Sequence, residues 1–354
     1  MKHFTAVRLT LLSALVGTTL SACQKPESTQ AATASSTTPA SSTSPTTTKG
    51  KKFIEITAIV EHPSLDAIRQ GVIDELAAEG YKNGDNLKIN FQSAQGNTAT
   101  VAQISKQFVA DKPDAIVAIS TPSAQSMAAA TKEIPIIYTA VSNPVAAKLI
   151  DANNQPTQAN ITGLSSQLPL APQLDFMQKL IPNAKTIGYV YSPGEMNSVS
   201  LRDNLKKALP ARGLSLMDIP ANRPTDIGMA TNSLNGKAQL IYTSMDNNVA
   251  SAFESMVQSA NAAKLPIIAS DEFSVRRGAT AALGVNDYDF GRTTGKMVAK
   301  VLDGTPVTQV SPQVMNDLTL FVSPKHAALQ GVSLSADILN NAINVDTTPA
   351  RVIK

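Results

Sequence analysis

The chain has 354 residues, 43% of them hydrophobic and 16% charged, with a formal net charge of +3 and one cysteine. That length suits two domains. A single cysteine, Cys23, excludes an internal disulfide framework and any paired-cysteine zinc or redox site. The charge falls to +1 without Lys2 and Arg8, which leaves no basic footprint for nucleic acid. Three histidines, His3, His62 and His326, give little scope for a histidine metal site, so no metal and no cofactor is expected.

Residues 1–22 read as a secretory signal. Lys2 and Arg8 form a basic start, and the apolar run 9–20 is too short to span a bilayer. Leu20-Ser21-Ala22-Cys23 resembles a bacterial lipobox, in which the cysteine thiol is diacylated and the signal is cut before it. Cys23 is therefore the expected lipidation site, with two or three acyl chains enough for stable attachment to a membrane. Residues 28–48 contain 14 Ser or Thr among 21 and no charge. Such a segment cannot bury enough apolar area to offset chain entropy, so 23–50 is expected to be anchor and tether. The resulting location is extracytoplasmic, lipid-anchored to a bacterial membrane, in a periplasm or at a cell surface.

From residue 51 onward, short apolar runs alternate with amphipathic ones. Strands are expected at 53–60, 87–92, 115–119, 135–139 and 159–164, and again at 186–191, 214–219, 239–243, 266–269 and 280–285. Helices are expected at 64–79, 98–110, 122–132, 170–181, 197–212, 225–235, 248–264 and 287–303. Continuous apolar strands separated by helices predict α/β architecture with doubly wound parallel sheets. The set is also duplicated: residues 114–144 and 238–272 share the order strand, polar turn, helix, strand, with Ile-Pro-Ile-Ile echoed by Leu-Pro-Ile-Ile. Two such lobes joined by a hinge enclose a cleft, and its ligand residues belong on the turns that follow the strands.

Those turns supply the candidate ligand-binding residues. Thr121 and Ser123 sit at the start of a helix, where free N–H groups favour a carboxylate or simply cap the helix. Asp246 and Asp271 put carboxylates on the matching turns of the second lobe, as ammonium partners or as N-caps. Asn143, Glu195, Asn197, Ser198 and Asn247 offer hydrogen bonds to a small polar solute. His62 follows the first strand, and Tyr191 or Phe273 would have to supply any aromatic wall, since the chain has no Trp. Together these describe a clamp for a zwitterion. Enzyme motifs are missing: Gly291 to Lys296 is one residue short of a P-loop and is followed by Met297, and there is no GxGxxG after a strand and no GxSxG elbow.

Val60-Glu61-His62-Pro63-Ser64-Leu65-Asp66, Ser120-Thr121-Pro122-Ser123, Ala184-Lys185-Thr186-Ile187-Gly188, Pro193-Gly194-Glu195-Met196-Asn197-Ser198, Asp246-Asn247-Asn248 and Ala269-Ser270-Asp271-Glu272 resemble one family along residues 53–340. It is that of the substrate-binding lipoproteins of ABC importers, which includes the tryptophan/tyrosine-type binders. The resemblance implies a type I periplasmic-binding-like fold, closure around a small molecule, and delivery to an ABC permease with its ATPase. The solute is expected to be an amino acid, plausibly aromatic, and the protein a monomer. By analogy the first lobe is 51–165 with about 286–310, and the second is 166–285 with about 311–354. A sensory module reporting to a signalling partner, or a surface enzyme using Glu61, His62 or Glu195, would be the alternatives.

Overall fold

A computed structural model describes residues 49–315 and 317–350. The expected signal, Cys23 and nearly all of the tether lie outside the described residues. Lys49, placed above in the tether, instead belongs to the folded unit: its ammonium pairs with Asp303 at 2.8 Å and lies over the Tyr81 ring.

The first lobe opens with β1 (Lys52–Ala58), α1 (Pro63–Ala78), β2 (Leu87–Ser93), α2 (Thr98–Asp111), β3 (Ala115–Ile119), α3 (Thr121–Ala130), β4 (Ile136–Val141) and β5 (Ile161–Ser165). The second lobe runs α4 (Leu170–Leu180), β6 (Thr186–Tyr191), α5 (Met196–Ala208), β7 (Ser215–Pro220), α6 (Ile227–Asn232), β8 (Leu240–Tyr242), α7 (Asn247–Ser251), α8 (Phe253–Ala263), β9 (Ile267–Asp271), α9 (Glu272–Arg277) and β10 (Ala281–Val285). The chain then returns to the first lobe with α10 (Asp287–Leu302) and β11 (Gln313–Val314). It ends in the second with β12 (Thr319–Val322), α11 (Pro324–Leu329), α12 (Ala336–Asn340) and β13 (Ile343–Asn344).

The sheets are wound alike. The first has the order β11-β5-β4-β3-β1-β2, all parallel, and the second β13-β12-β10-β9-β8-β6-β7, parallel except for β10 against β12. In each, the first strand of the repeat lies between its second and third, so the winding reverses beside β1 and beside β6. Every residue of β3, β4 and β5 is buried, the reason these strands read as unbroken apolar runs. Three connections join the lobes: 166–169, Asn286, and the one that leaves β11 after Val314 and enters β12 at Thr319. The last falls a few residues beyond the boundary near 310 drawn above, because β11 pairs with β5 of the first sheet.

Three expected helices are divided. Pro210 lacks the N–H that would continue α5, and residues 210–212 form a 3₁₀ turn. Residues 225–235 become a 3₁₀ turn followed by α6, and 248–264 breaks at Ala252, which leaves helical torsion angles. The glycines of the P-loop-like run have a packing role. A Cβ on Gly291 would lie 2.1 Å from the Ile68 carbonyl oxygen, and one on Gly71 would lie 2.3 Å from that of Tyr288, so α1 and α10 touch backbone to backbone. Arg292 of α10 pairs there with the buried Glu75 of α1.

Candidate functional site

The turns after β1, β3, β4, β8 and β9 converge on a cleft between the lobes whose empty space, counted out to open solvent, is about 630 Å³. His62, Ser64, Leu65, Ser120, Thr121, Ala140 and Ser142 line it from the first lobe. Asn197, the segment 243–247, Val249, Ala250, Phe253, Asp271 and Ser274 line it from the second. Three lining residues, Ser120, Ala140 and Met245, hold φ angles of 84°, 54° and 52°. Such strain in residues other than glycine persists where surrounding packing enforces it, and it collects at ligand-binding turns.

Helix starts facing the cavity differ in their capping. His62 Nδ1 accepts from the Ser64 N–H and caps α1. Asp246 caps α7 and Asp271 caps α9. The Ser120 side chain makes no cap bond to α3, and Pro122 has no N–H to offer. The α3 start therefore presents an uncapped dipole and backbone donors to an anion, as do the starts of α5 and α8, whose N-cap residues Glu195 and Ala252 also make no side-chain cap bond.

The two candidate aspartates have different surroundings. Asp246 is buried and accepts four hydrogen bonds, from the Ser192 N–H and Oγ, Ser198 Oγ and the Val249 N–H, at 2.6–3.0 Å. A carboxylate has about four lone-pair positions, so Asp246 is saturated within its own lobe. Asp271 accepts from Ser274 N–H and Oγ at 2.8 and 2.6 Å, and from Ser64 Oγ of the opposite lobe at 3.1 Å. Its remaining acceptor capacity is open to the cavity. Of the two aspartates, Asp271 is the one that keeps acceptor capacity toward the cavity.

Other candidates are redistributed. Thr121, Asn197, Asn247 and His62 line the cavity as expected. Ser123, in the first turn of α3, is buried and does not line the cavity, and its Oγ lies 3.4 Å from Ser120 Oγ. Ser198 holds Asp246. Glu195 lies behind the wall, where it accepts from Asn197 Nδ2 and from Asn247 N–H and Nδ2. Burial, and then the nearby Asp246 charge, push its carboxyl up to about 7. Asn143 lies in a neighbouring cavity and bonds Ser200 across the lobes. Tyr191 and Phe273 do not line the cavity. The Tyr191 ring stacks on Tyr189 at 5.9 Å and its hydroxyl accepts from Arg202. Phe253 is the cavity's aromatic residue, steadied by Arg277 over its ring.

Sequence reading missed Ser64, Phe253 and Asp287. Ser64 follows His62 and was legible as a turn residue. Phe253 falls at the helix break that was not foreseen. Asp287, on the hinge connection, is fully buried. Burial raises its carboxyl well above the usual range, Asp271 and Glu272 add to this, and a bond from Ser64 opposes it. Burial lowers His62, with Asp271 opposing. A neutral imidazole accepting at Nδ1 carries its proton on Nε2. Among the described residues no cluster suits a metal ion, and no helix is long and apolar enough to cross a membrane.

A cleft between two similarly wound lobes, lined by polar turns, is an architecture suited to holding a small solute. Residues 53–346 match the family model described as ABC transporter substrate binding protein, and the chain belongs to that family. Its members are solute-binding proteins rather than enzymes. A tyrosine-binding protein of Clostridioides difficile is 38% identical over 293 residues, 82% of this chain and 85% of that one. A Streptococcus pneumoniae ABC domain in complex with L-Trp is 34% identical, with TM-score 0.79, covering 83% of this chain and 99% of that one. A ligand-free, open Clostridium difficile substrate-binding protein with adhesive properties is 36% identical at the same coverages, with TM-score 0.64. At near-equal identity the lobes match the L-Trp complex better, in line with their two cross-lobe hydrogen bonds, Ser64 to Asp271 and Asn143 to Ser200. More distant binding proteins, 14% identical, share the type I fold alone.

Proposed function

We propose that this chain is the extracytoplasmic receptor of an ABC importer, lipid-anchored through Cys23, and that it captures an aromatic amino acid by hinge closure. The observation that carries the reading is a pair of opposed charge preferences across one cavity. The uncapped α3 start, with the Thr121 N–H and hydroxyl, suits a carboxylate. Asp271 from the other lobe suits an ammonium. Leu65, Val249, Ala250 and Phe253 provide apolar surface for a ring. The tyrosine-binding and L-Trp-bound relatives support an aromatic solute. No bond needs to be made or broken: closure buries the solute while its charges stay paired.

A thermal-shift screen of the purified protein against the twenty amino acids tests the solute. A ligand at a hundredfold excess over Kd stabilises the native state by about 2.7 kcal/mol. Tyrosine or tryptophan should give the largest shift, and a flat response to every amino acid would refute the assignment. The anchor is checked by labelling cells with radioactive palmitate, where Cys23→Ala should abolish incorporation.

A further inference from the structure

Beside the first cavity lies a second of about 500 Å³, and the two share Ser142, Asn197 and Ser244. Charge distinguishes them. The first is lined by Asp246, Asp271 and His62, whereas no charged side chain lines the second. A charged group moved into the second would lose hydration and gain no counter-charge, so the solute's ionic end belongs in the first.

The second compartment nonetheless contains buried polar atoms without a partner. Asn197 Oδ1 and Ser166 Oγ make no hydrogen bond, and their residues are only 5% and 1% exposed. The orientation of the Asn197 amide follows from its other end. Its nitrogen donates to the Met245 carbonyl at 2.7 Å and to Glu195 Oε2 at 2.9 Å, so the oxygen is the atom left over. Asn197 lines both cavities and stands at their junction. Leu168, Leu170 and Leu201 form an apolar wall around these two groups. Asn197 Oδ1 can only accept, so it selects for a donor, which the Ser166 hydroxyl can also accept from, and an apolar occupant leaves both unpaired.

We propose that the second compartment is a specificity subsite that receives an uncharged hydrogen-bond donor at the far end of the solute's ring, an O–H or N–H, read by Asn197 Oδ1 and Ser166 Oγ. The assignment rests on the aromatic amino-acid reading above and adds a discrimination that reading does not require. Tyrosine and tryptophan carry such a donor, and phenylalanine has the same head group and nearly the same ring without one. A site built around a substrate hydroxyl rejects the analogue lacking it far more strongly than an apolar pocket rejects a missing methylene.

The test is calorimetric titration of the purified protein with L-tyrosine, L-tryptophan and L-phenylalanine, repeated with Ser166→Ala and Asn197→Ala. Thermal melts of each variant control for folding. Phenylalanine should bind the unaltered protein at least about tenfold more weakly than the better of the other two. Ser166→Ala should reduce that ratio by about threefold or more, acting on the donor-bearing ligand and hardly on phenylalanine. Equal affinity for all three would overturn the subsite and leave the aromatic reading standing. The subsite is equally overturned if Ser166→Ala weakens all three alike, or if it leaves the ratio unchanged because water alone occupies the compartment. Binding of none of the three would overturn both readings.

Discussion

Asp246 and Asp271 occupy similar places. Asp271 ends β9 and Asp246 lies on the turn after β8, and each caps a short helix and lines the cleft. Asp246 is fully engaged by its own lobe, while Asp271 spends one bond on Ser64 of the other. A carboxylate in a binding cleft is thus a recognition group only to the extent that its lone pairs are not already committed. Asp246 shapes the cavity by tying the β6–α5 turn to α7, and Asp271 keeps the acceptor capacity that the proposed ammonium contact requires.

The sharpest way to separate them is to remove the first. Asp246→Ala leaves Ser192, Ser198 and Val249 donors without an acceptor in a buried site, at about 2–4 kcal/mol. For a chain of this size that lowers Tm by about 5–10 °C in a calorimetric scan, with or without solute. Asp271→Asn should behave in the opposite way. Asparagine keeps the cap and still accepts from Ser64, so Tm should change by no more than about 1 kcal/mol's worth. The lost charge should weaken amino-acid binding by about 10- to 100-fold in a titration. Equal melting losses in the two variants would erase the distinction.

Acidity provides a further contrast, through the neighbour of Asp246. The Glu195 carboxyl is pushed up to about 7 from an ordinary 4.5, so the native state holds its proton more tightly than the unfolded chain. Its contribution to stability is complete below about 4.5 and is lost as pH rises through about 7. The Glu195 contribution should therefore lower Tm between pH 5 and 8, and Glu195→Gln should reduce that slope. Asp287 and Glu55, raised by burial, act in the same direction, while His62 and His326, lowered by burial, oppose it. The smallest effect is expected at Ser64→Ala, which removes one neutral cross-lobe donor at about 0.5–1 kcal/mol. Stopped-flow dissociation should show solute leaving about two- to fivefold faster, since the lost bond forms when the lobes close.

The winding was legible because the central strands, buried on both faces, leave continuous apolar runs, and β1 to β10 were all expected near their observed positions. β12, four residues at 319–322, was not read, and β11 and β13 have two residues each, too few for any pattern. Within the site, the turns were found and the roles were partly misread. Thr121 and Asp271 follow from their places after strands. That Asp246 is saturated depends on Ser192 and Ser198, some fifty residues away, and no local pattern carries that information. The aromatic wall was expected from Tyr191 or Phe273 and Phe253 was not considered, because the break at Ala252, which sets Phe253 at the start of its own helix, has no glycine or proline to announce it.

The backbone contact between α1 and α10 also governs when the protein can exist. Gly71 and Gly291 are 220 positions apart in the chain, yet neither helix is covered until they meet. A polypeptide that emerges N-terminus first must hold α1 and the apolar faces of β1 to β5 exposed until the whole second lobe and α10 have followed. The second lobe must wait in turn for β12. Each half is thus hostage to a segment made later, and contacts of such long reach close slowly. A nascent chain of this design is a substrate for holding factors, and a fragment ending at residue 285 should be aggregation-prone despite containing ten of the thirteen strands.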